Sequence, residues 1–164
     1  MYSAYQLDSN HRTILLKQFL PRYPRVVADH ITVCFGGTDV PLPAPCQKAE
    51  VIGMADDGNG LQALIVRVDD CLTRQDGSVY HITWSLDPNK QISSEIDSNP
   101  SQTYKPVHSN ALVQRVINPD GTPKNDIPYS WKLQLLQTPV ALNVKPVLRY
   151  TSSELKKKKS IKEI

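Results

Sequence analysis

Residues 28–35 read "ADHITVCF", and residues 79–86 read "VYHITWSL", so the tripeptide His-Ile-Thr stands at 30–32 and again at 81–83. Both copies lie in runs of β-branched and aromatic residues, which favour strands. Side chains two apart in a strand share a face. His30 and Thr32 therefore face one way on their strand, and His81 and Thr83 do the same on theirs. Strands lying side by side or in mirrored sheets would bring two imidazoles and two hydroxyls together. Coincidence between two ordinary strands, in a structural or interaction protein, would instead leave His30 and His81 far apart or on opposite faces.

Working outward, "AYQLD" (4–8) reads as a short strand, and Ser9 as the N-cap of a helix over "NHRTILLKQFL" (10–20). Leu15/Phe19 and Leu16/Leu20, each four apart, give that helix an apolar flank. Arg12 and Lys17 are surface charges with no assigned role. "PRYPR" (21–25) ends the helix. One strand is expected over "VVADHITVCFG" (26–36), with Asp29 facing away from His30. "KAEVIGMADD" and "LQALIVRVDD" form a hairpin around "DGNG" (57–60), and "RQDGS" (74–78) turns the chain into the second triplet. Residues 89–130 are rich in Ser, Asn, Pro and Asp, with a short helix in "SNALVQRVI" (109–117). "WKLQLLQTPVALNVKPVLRY" (131–150) supplies closing strands divided near Thr138-Pro139. The fold class is α+β with mainly antiparallel sheet and few helices.

A chain of 164 residues with 40% hydrophobic and 21% charged residues is a single globular domain, over 1–150. The net charge of +3 is carried by "ELKKKKSIKEI" (154–164), part of a basic tail (151–164) expected to be frayed; the other 153 residues balance 14 basic against 14 acidic side chains. A neutral body excludes a long unspecific grip on a nucleic-acid backbone, though not a pocket for one or two phosphates. No apolar run reaches ~18 residues and the N-terminus lacks a signal-peptide core, so a cytoplasmic protein with no membrane partner is expected. Cys34, Cys46 and Cys71 match no disulfide or zinc pattern and are expected to be small apolar packing residues.

Two imidazoles and two hydroxyls suit phosphoester chemistry. A neutral imidazole accepts a proton from the attacking hydroxyl while a protonated one supplies the leaving oxygen. The hydroxyls donate to the non-bridging oxygens, where charge must be held. Neither metal nor cofactor is required.

The paired His-Ile-Thr triplets resemble the His-x-Thr/Ser signatures of the 2H phosphoesterase superfamily. Its members include RNA 2′,3′-cyclic phosphodiesterases, the cyclic phosphodiesterase domains of tRNA ligases, and phage enzymes that cleave cyclic-nucleotide immune signals. The resemblance implies two α+β lobes related by pseudo-two-fold symmetry around a central cleft. It implies His30 and His81 as the catalytic acid/base pair and Thr32 and Thr83 as phosphate contacts. The interval between the triplets is short for the superfamily and lacks the helix commonly found there, so the second lobe looks trimmed. "YKPVHSNAL" (104–112) is similar to segments downstream of the second motif in ligase-like members.

In that segment Lys105 is a candidate to offset phosphate charge, and Ser109 or Asn110 to bond phosphate or ribose. Ser109 is equally a candidate N-cap, and the two roles are compatible at a helix N-terminus. His108 reads as an exposed loop histidine. Among the aromatic residues, Tyr80 and Trp84 are odd steps from His81 and belong to the core; Tyr5 or Tyr104 is the expected base platform. The expected activity is metal-independent hydrolysis of a nucleotide phosphodiester, a 2′,3′-cyclic phosphate on an RNA end or a nucleotide, in RNA processing. The alternatives are cleavage of cyclic di- or oligonucleotide signals and a non-catalytic nucleotide-binding module.

Overall fold

The computed structural model describes residues 1–37, 39–90, 108–151 and 154–156. In chain order the elements are β1 (Tyr2–Leu7), α1 (Ser9–Gln18), β2 (Arg25–Val26), β3 (His30–Phe35), β4 (Ala49–Asp56), β5 (Leu61–Val68), β6 (His81–Leu86), α2 (Ser109–Val116), β7 (Lys132–Leu142) and β8 (Val144–Arg149). They form a three-stranded sheet, β3-β1-β8, and a five-stranded sheet, β2-β6-β5-β4-β7. All paired strands run antiparallel. The class is α+β, and each triplet strand belongs to a different sheet. Among the described residues no helix is long and apolar enough to cross a membrane.

The five-stranded sheet is buried on both faces, which explains why "LQALIVRV" reads as a nearly continuous apolar run. One face carries Val51, Leu64, Val66, Ile82 and Trp84 into a core shared with Ile31 and Tyr5 of the smaller sheet and with Leu15 and Phe19 at the end of α1. The other face carries Ala55, Ala63 and Ile65 against Leu112, Val113 and Val116 of α2. Trp84 is fully buried, and its indole N–H donates to the Phe19 carbonyl at 2.7 Å.

Several expectations are corrected. The N-cap of α1 is Asp8, not Ser9; its carboxylate accepts from the His11 N–H at 3.0 Å. Leu20, expected on the apolar flank, is 70% exposed because the helix has ended at Gln18. The closing strands divide at Asn143 rather than near Pro139. Pro139 is absorbed by a bulge: β4 advances from Val51 to Gly53 while β7 runs from Val140 back to Leu135. Proline, which has no N–H to give a ladder, is tolerated at such a place. Cys34 and Cys46 are half-buried as expected of packing residues, but Cys71 is exposed. The basic tail lies mostly outside the described residues; within them, Glu154 pairs with the amino group of Met1.

The largest correction concerns residues 26–36. They do not make one strand, because Ala28 adopts a left-handed conformation, φ +42°. Up to that point the chain belongs to the larger sheet: Val27 N–H donates to the Trp84 carbonyl (2.9 Å) and Ala28 N–H to the Thr83 carbonyl (3.0 Å). One residue later, the Asp29 carbonyl accepts from Leu7 N–H at 2.9 Å and the chain has joined the smaller sheet. Arg12 holds the turn from α1, its Nε donating to the Ala28 carbonyl (2.7 Å) and Nη2 to that of Val27 (3.3 Å). The arginine left without a role by sequence thus grips the crossover.

A non-glycine residue at positive φ costs about 1–3 kcal/mol, and Ala28 has no exposed surface. Ala28→Val, adding β-branching and volume, is expected to lower unfolding free energy by at least about 2 kcal/mol in urea titrations. Ala28→Gly, free at that φ, stays within about 1 kcal/mol of wild type.

Candidate functional site

The middle residues of both triplets point inward: Ile31 and Ile82 are fully buried in the same core. Strand alternation then turns His30 and Thr32, and His81 and Thr83, to the opposite faces. All four line one pocket of about 380 Å³. Arg74, Phe35 and residues 108–110 at the start of α2 complete its walls. The arrangement expected of coincidental triplets, apart or on unrelated faces, is absent.

The two histidines have different proton environments. His81 is nearly buried and its Nδ1 lies 2.8 Å from the Val79 carbonyl. A carbonyl only accepts, so Nδ1 carries the proton and Nε2 of the neutral ring keeps its lone pair. Burial drives the His81 pKa down from 6.5 to about 4; the bond to Val79 opposes this, and the positive fields of Arg74, His30 and His108 reinforce it. His81 is thus neutral near pH 7.

His30 Nδ1 lies 2.9 Å from Oδ2 of Asp29. Regular alternation predicts Asp29 on the far face; β3 begins only at His30, so Asp29 precedes the strand, and its carboxylate meets the neighbouring ring instead. Arg149 of β8 donates to the same oxygen. Partial burial alone would raise the Asp29 pKa, but the bonds from His30 and Arg149 outweigh it and hold the carboxyl below its usual range. A carboxylate at Nδ1 fixes the ring's tautomer and offsets charge when the imidazole carries a second proton. Tyr2 flanks the His30 ring at 5.4 Å between centroids.

Thr83 Oγ1 and Ser109 Oγ are 2.6 Å apart. One hydroxyl donates to the other, which leaves the acceptor's own O–H available to a ligand. Ser109 is therefore no cap; the N-cap of α2 is His108, without a side-chain capping bond. An uncapped first turn leaves N–H donors and the positive end of the helix dipole beside the pocket. Exposed His108, expected to be a plain loop histidine, lines the pocket. Asn110 lines it too, and its buried Oδ1 has no hydrogen-bond partner among the described residues. Such an acceptor suits a ribose hydroxyl rather than a phosphate oxygen.

Tyr5 is not a base platform. Its ring is 7% exposed in the core, and its hydroxyl donates to the Ala44 carbonyl at 2.6 Å. Burial raises its pKa to about 12, with Cys46, Tyr80 and Asp69 adding to it. Tyr104 and Lys105 lie outside the described residues. Sequence reasoning missed Arg74 and Phe35. Phe35, five residues after His30 on the same strand, could have been tested as a rim aromatic, whereas Arg74 sits in a turn whose geometry no spacing rule exposes. Among the described residues no group of three or more His, Cys, Asp or Glu is placed to hold a metal ion. Comparison with models of protein families, with curated proteins and with solved structures finds no match to the chain.

Burying a neutral histidine ties stability to pH. Between about 4 and 6.5 the unfolded chain binds a proton at His81 that the folded chain does not. Stability therefore rises with pH across that window, by roughly 3 kcal/mol from this group, and is flat above it. Urea titrations from pH 4.5 to 7 are expected to show the slope in wild type and its loss in His81→Leu.

Proposed function

We propose that the chain is a metal-independent 2H-type phosphoesterase hydrolysing a nucleotide phosphodiester, with a 2′,3′-cyclic phosphate as the substrate that best suits it. The observation that carries this reading is the convergence of both His-Thr pairs on one pocket with complementary proton environments. A two-lobed arrangement, one triplet per lobe across a cleft, belongs to the same proposal. It is supported by the division of the triplet strands between two sheets.

In the reaction, the free Nε2 of His81 takes a proton from water as the water oxygen bonds to phosphorus. His30, protonated and held at Nδ1 by Asp29, gives its Nε2 proton to the departing ribose oxygen as the P–O bond breaks. The product is a ribose phosphomonoester and a free hydroxyl. Thr32 and the Thr83–Ser109 pair donate to the non-bridging oxygens, where transition-state charge accumulates. General acid and general base are each worth roughly 10²–10⁴ in rate.

Adenosine 2′,3′-cyclic phosphate is expected to be hydrolysed in the presence of EDTA, and His30→Ala and His81→Ala each to lose at least about 10² in kcat. Turnover surviving both substitutions contradicts the proposal, and binding without turnover identifies a nucleotide-binding module. Running cyclic dinucleotides in parallel separates the cyclic-signal nuclease from the cyclic phosphodiesterase.

Asp29 acts through His30. Asp29→Asn is expected to lower kcat roughly tenfold or more with KM little changed, since the carboxylate touches His30 and not the substrate.

A further inference from the structure

The pocket contains a permanent cation that neither triplet supplies. Arg74 opens the tight turn between β5 and β6, where its N–H donates to the Ser78 carbonyl (2.9 Å) and its carbonyl accepts from Gly77 N–H (3.0 Å). Its Nε donates to Asp76 Oδ1 at 2.9 Å, and that oxygen also accepts from Ser78 N–H. The Arg74 bond chiefly, helped by the Ser78 N–H, holds the Asp76 pKa at about 2 against the opposing effect of burial. The guanidinium is thus pinned by one edge to an ionised carboxylate. Its side chain is only 5% exposed, and neither Nη carries a hydrogen bond among the described residues.

The Arg74 Cζ lies over the Phe35 ring, 5.6 Å from its centre. Phe35, at the end of the first triplet strand, is 61% exposed at the pocket's edge and backed by Tyr2. Hydroxyls and a neutral His81 carry no charge to set against a phosphodiester, whereas a guanidinium fork whose Nη groups have no bond among the described residues can bind an oxyanion bidentately. An exposed aromatic ring beside such a fork offers the stacking surface that an unpaired base uses. A volume of about 380 Å³ lies at the low end of the ~300–1,000 Å³ range of ligand pockets, room for one nucleotide unit.

We propose that Arg74 and Phe35 form the subsite that receives a single nucleotide, Arg74 Nη groups on the non-bridging phosphate oxygens and Phe35 against the base. This rests on the phosphoesterase reading and extends it to a substrate recognised through one nucleotide. The site then has an internal coupling: an anion bound to Arg74 offsets the positive field that disfavours protonation of His81, so the base gains proton affinity when substrate is present.

The test compares wild type, Arg74→Gln, Arg74→Lys and Phe35→Ala for hydrolysis of adenosine 2′,3′-cyclic phosphate and for calorimetric binding of 2′-AMP and inorganic phosphate. Arg74→Gln is expected to weaken both 2′-AMP and inorganic phosphate by roughly tenfold or more, with Arg74→Lys intermediate. Phe35→Ala is expected to weaken 2′-AMP but leave inorganic phosphate unchanged. Should Arg74→Gln fail to fold, the Arg74 Nε–H resonance of wild type reports the same contact by moving on addition of 2′-AMP. An Arg74 variant that binds 2′-AMP like wild type, or a resonance that stays still, overturns the subsite while wild-type turnover leaves the phosphoesterase standing. A wild-type protein that neither hydrolyses the cyclic phosphate nor binds 2′-AMP overturns both.

Discussion

The left-handed backbone at Ala28 is the constraint on which the rest of the site depends. Its N–H is bonded to the carbonyl of Thr83, inside the second triplet, while the next residue is already paired with β1. A single peptide unit therefore ties the first triplet's strand to the second's and sends it into another sheet. The conformation costs about 1–3 kcal/mol in isolation, offset by hydrogen bonds on both sides and by the Arg12 guanidinium on the Val27 and Ala28 carbonyls. Immediately after the crossover, Asp29 gives its carbonyl to Leu7 N–H and its carboxylate to His30 and Arg149, so the residue that joins β1 also holds the first histidine.

Around that joint, two chemically identical side chains sit in different surroundings. His81 lines the pocket nearly buried, with its Nδ1–H spent on a backbone carbonyl, and burial makes its charged form expensive. His30 is more exposed and has a carboxylate at the equivalent nitrogen, itself kept ionised by His30 and Arg149. Different environments for paired titratable groups are what the proposed acid–base reaction calls for. Arg74 adds fixed charge to the same pocket, and Asp76 keeps that arginine in place.

Much of this was legible in the residues, for identifiable reasons. Period-two alternation placed His30 with Thr32 and His81 with Thr83, and it holds because Ile31 and Ile82 must both be buried. The "DGNG" hairpin follows from local turn chemistry, and α2 from the helical spacing of Leu112, Val113 and Val116, all buried. Alternation failed at Asp29 because it presumes an unbroken strand, and no local signal marks Ala28, a non-glycine, for positive φ. Tyr5 departs from expectation because a tyrosine is equally suited to core and surface; its place among the core residues of β1 and its bond to the Ala44 carbonyl bury it. Arg74 was invisible because its place depends on a turn meeting the end of another sheet's strand. The residues that repeat were readable from sequence, and those that join the two sheets were not.

The central claim is that both triplets serve one phosphate. Its most direct measurement is an NMR titration of ¹⁵N-histidine-labelled protein with 2′-AMP near neutral pH. The account predicts that the imidazole nitrogens of His30 and His81 shift together along one 1:1 isotherm, with His81 starting as the neutral Nδ1–H tautomer. Shifts confined to one histidine, separate isotherms, or a His81 ring already charged at that pH would contradict it.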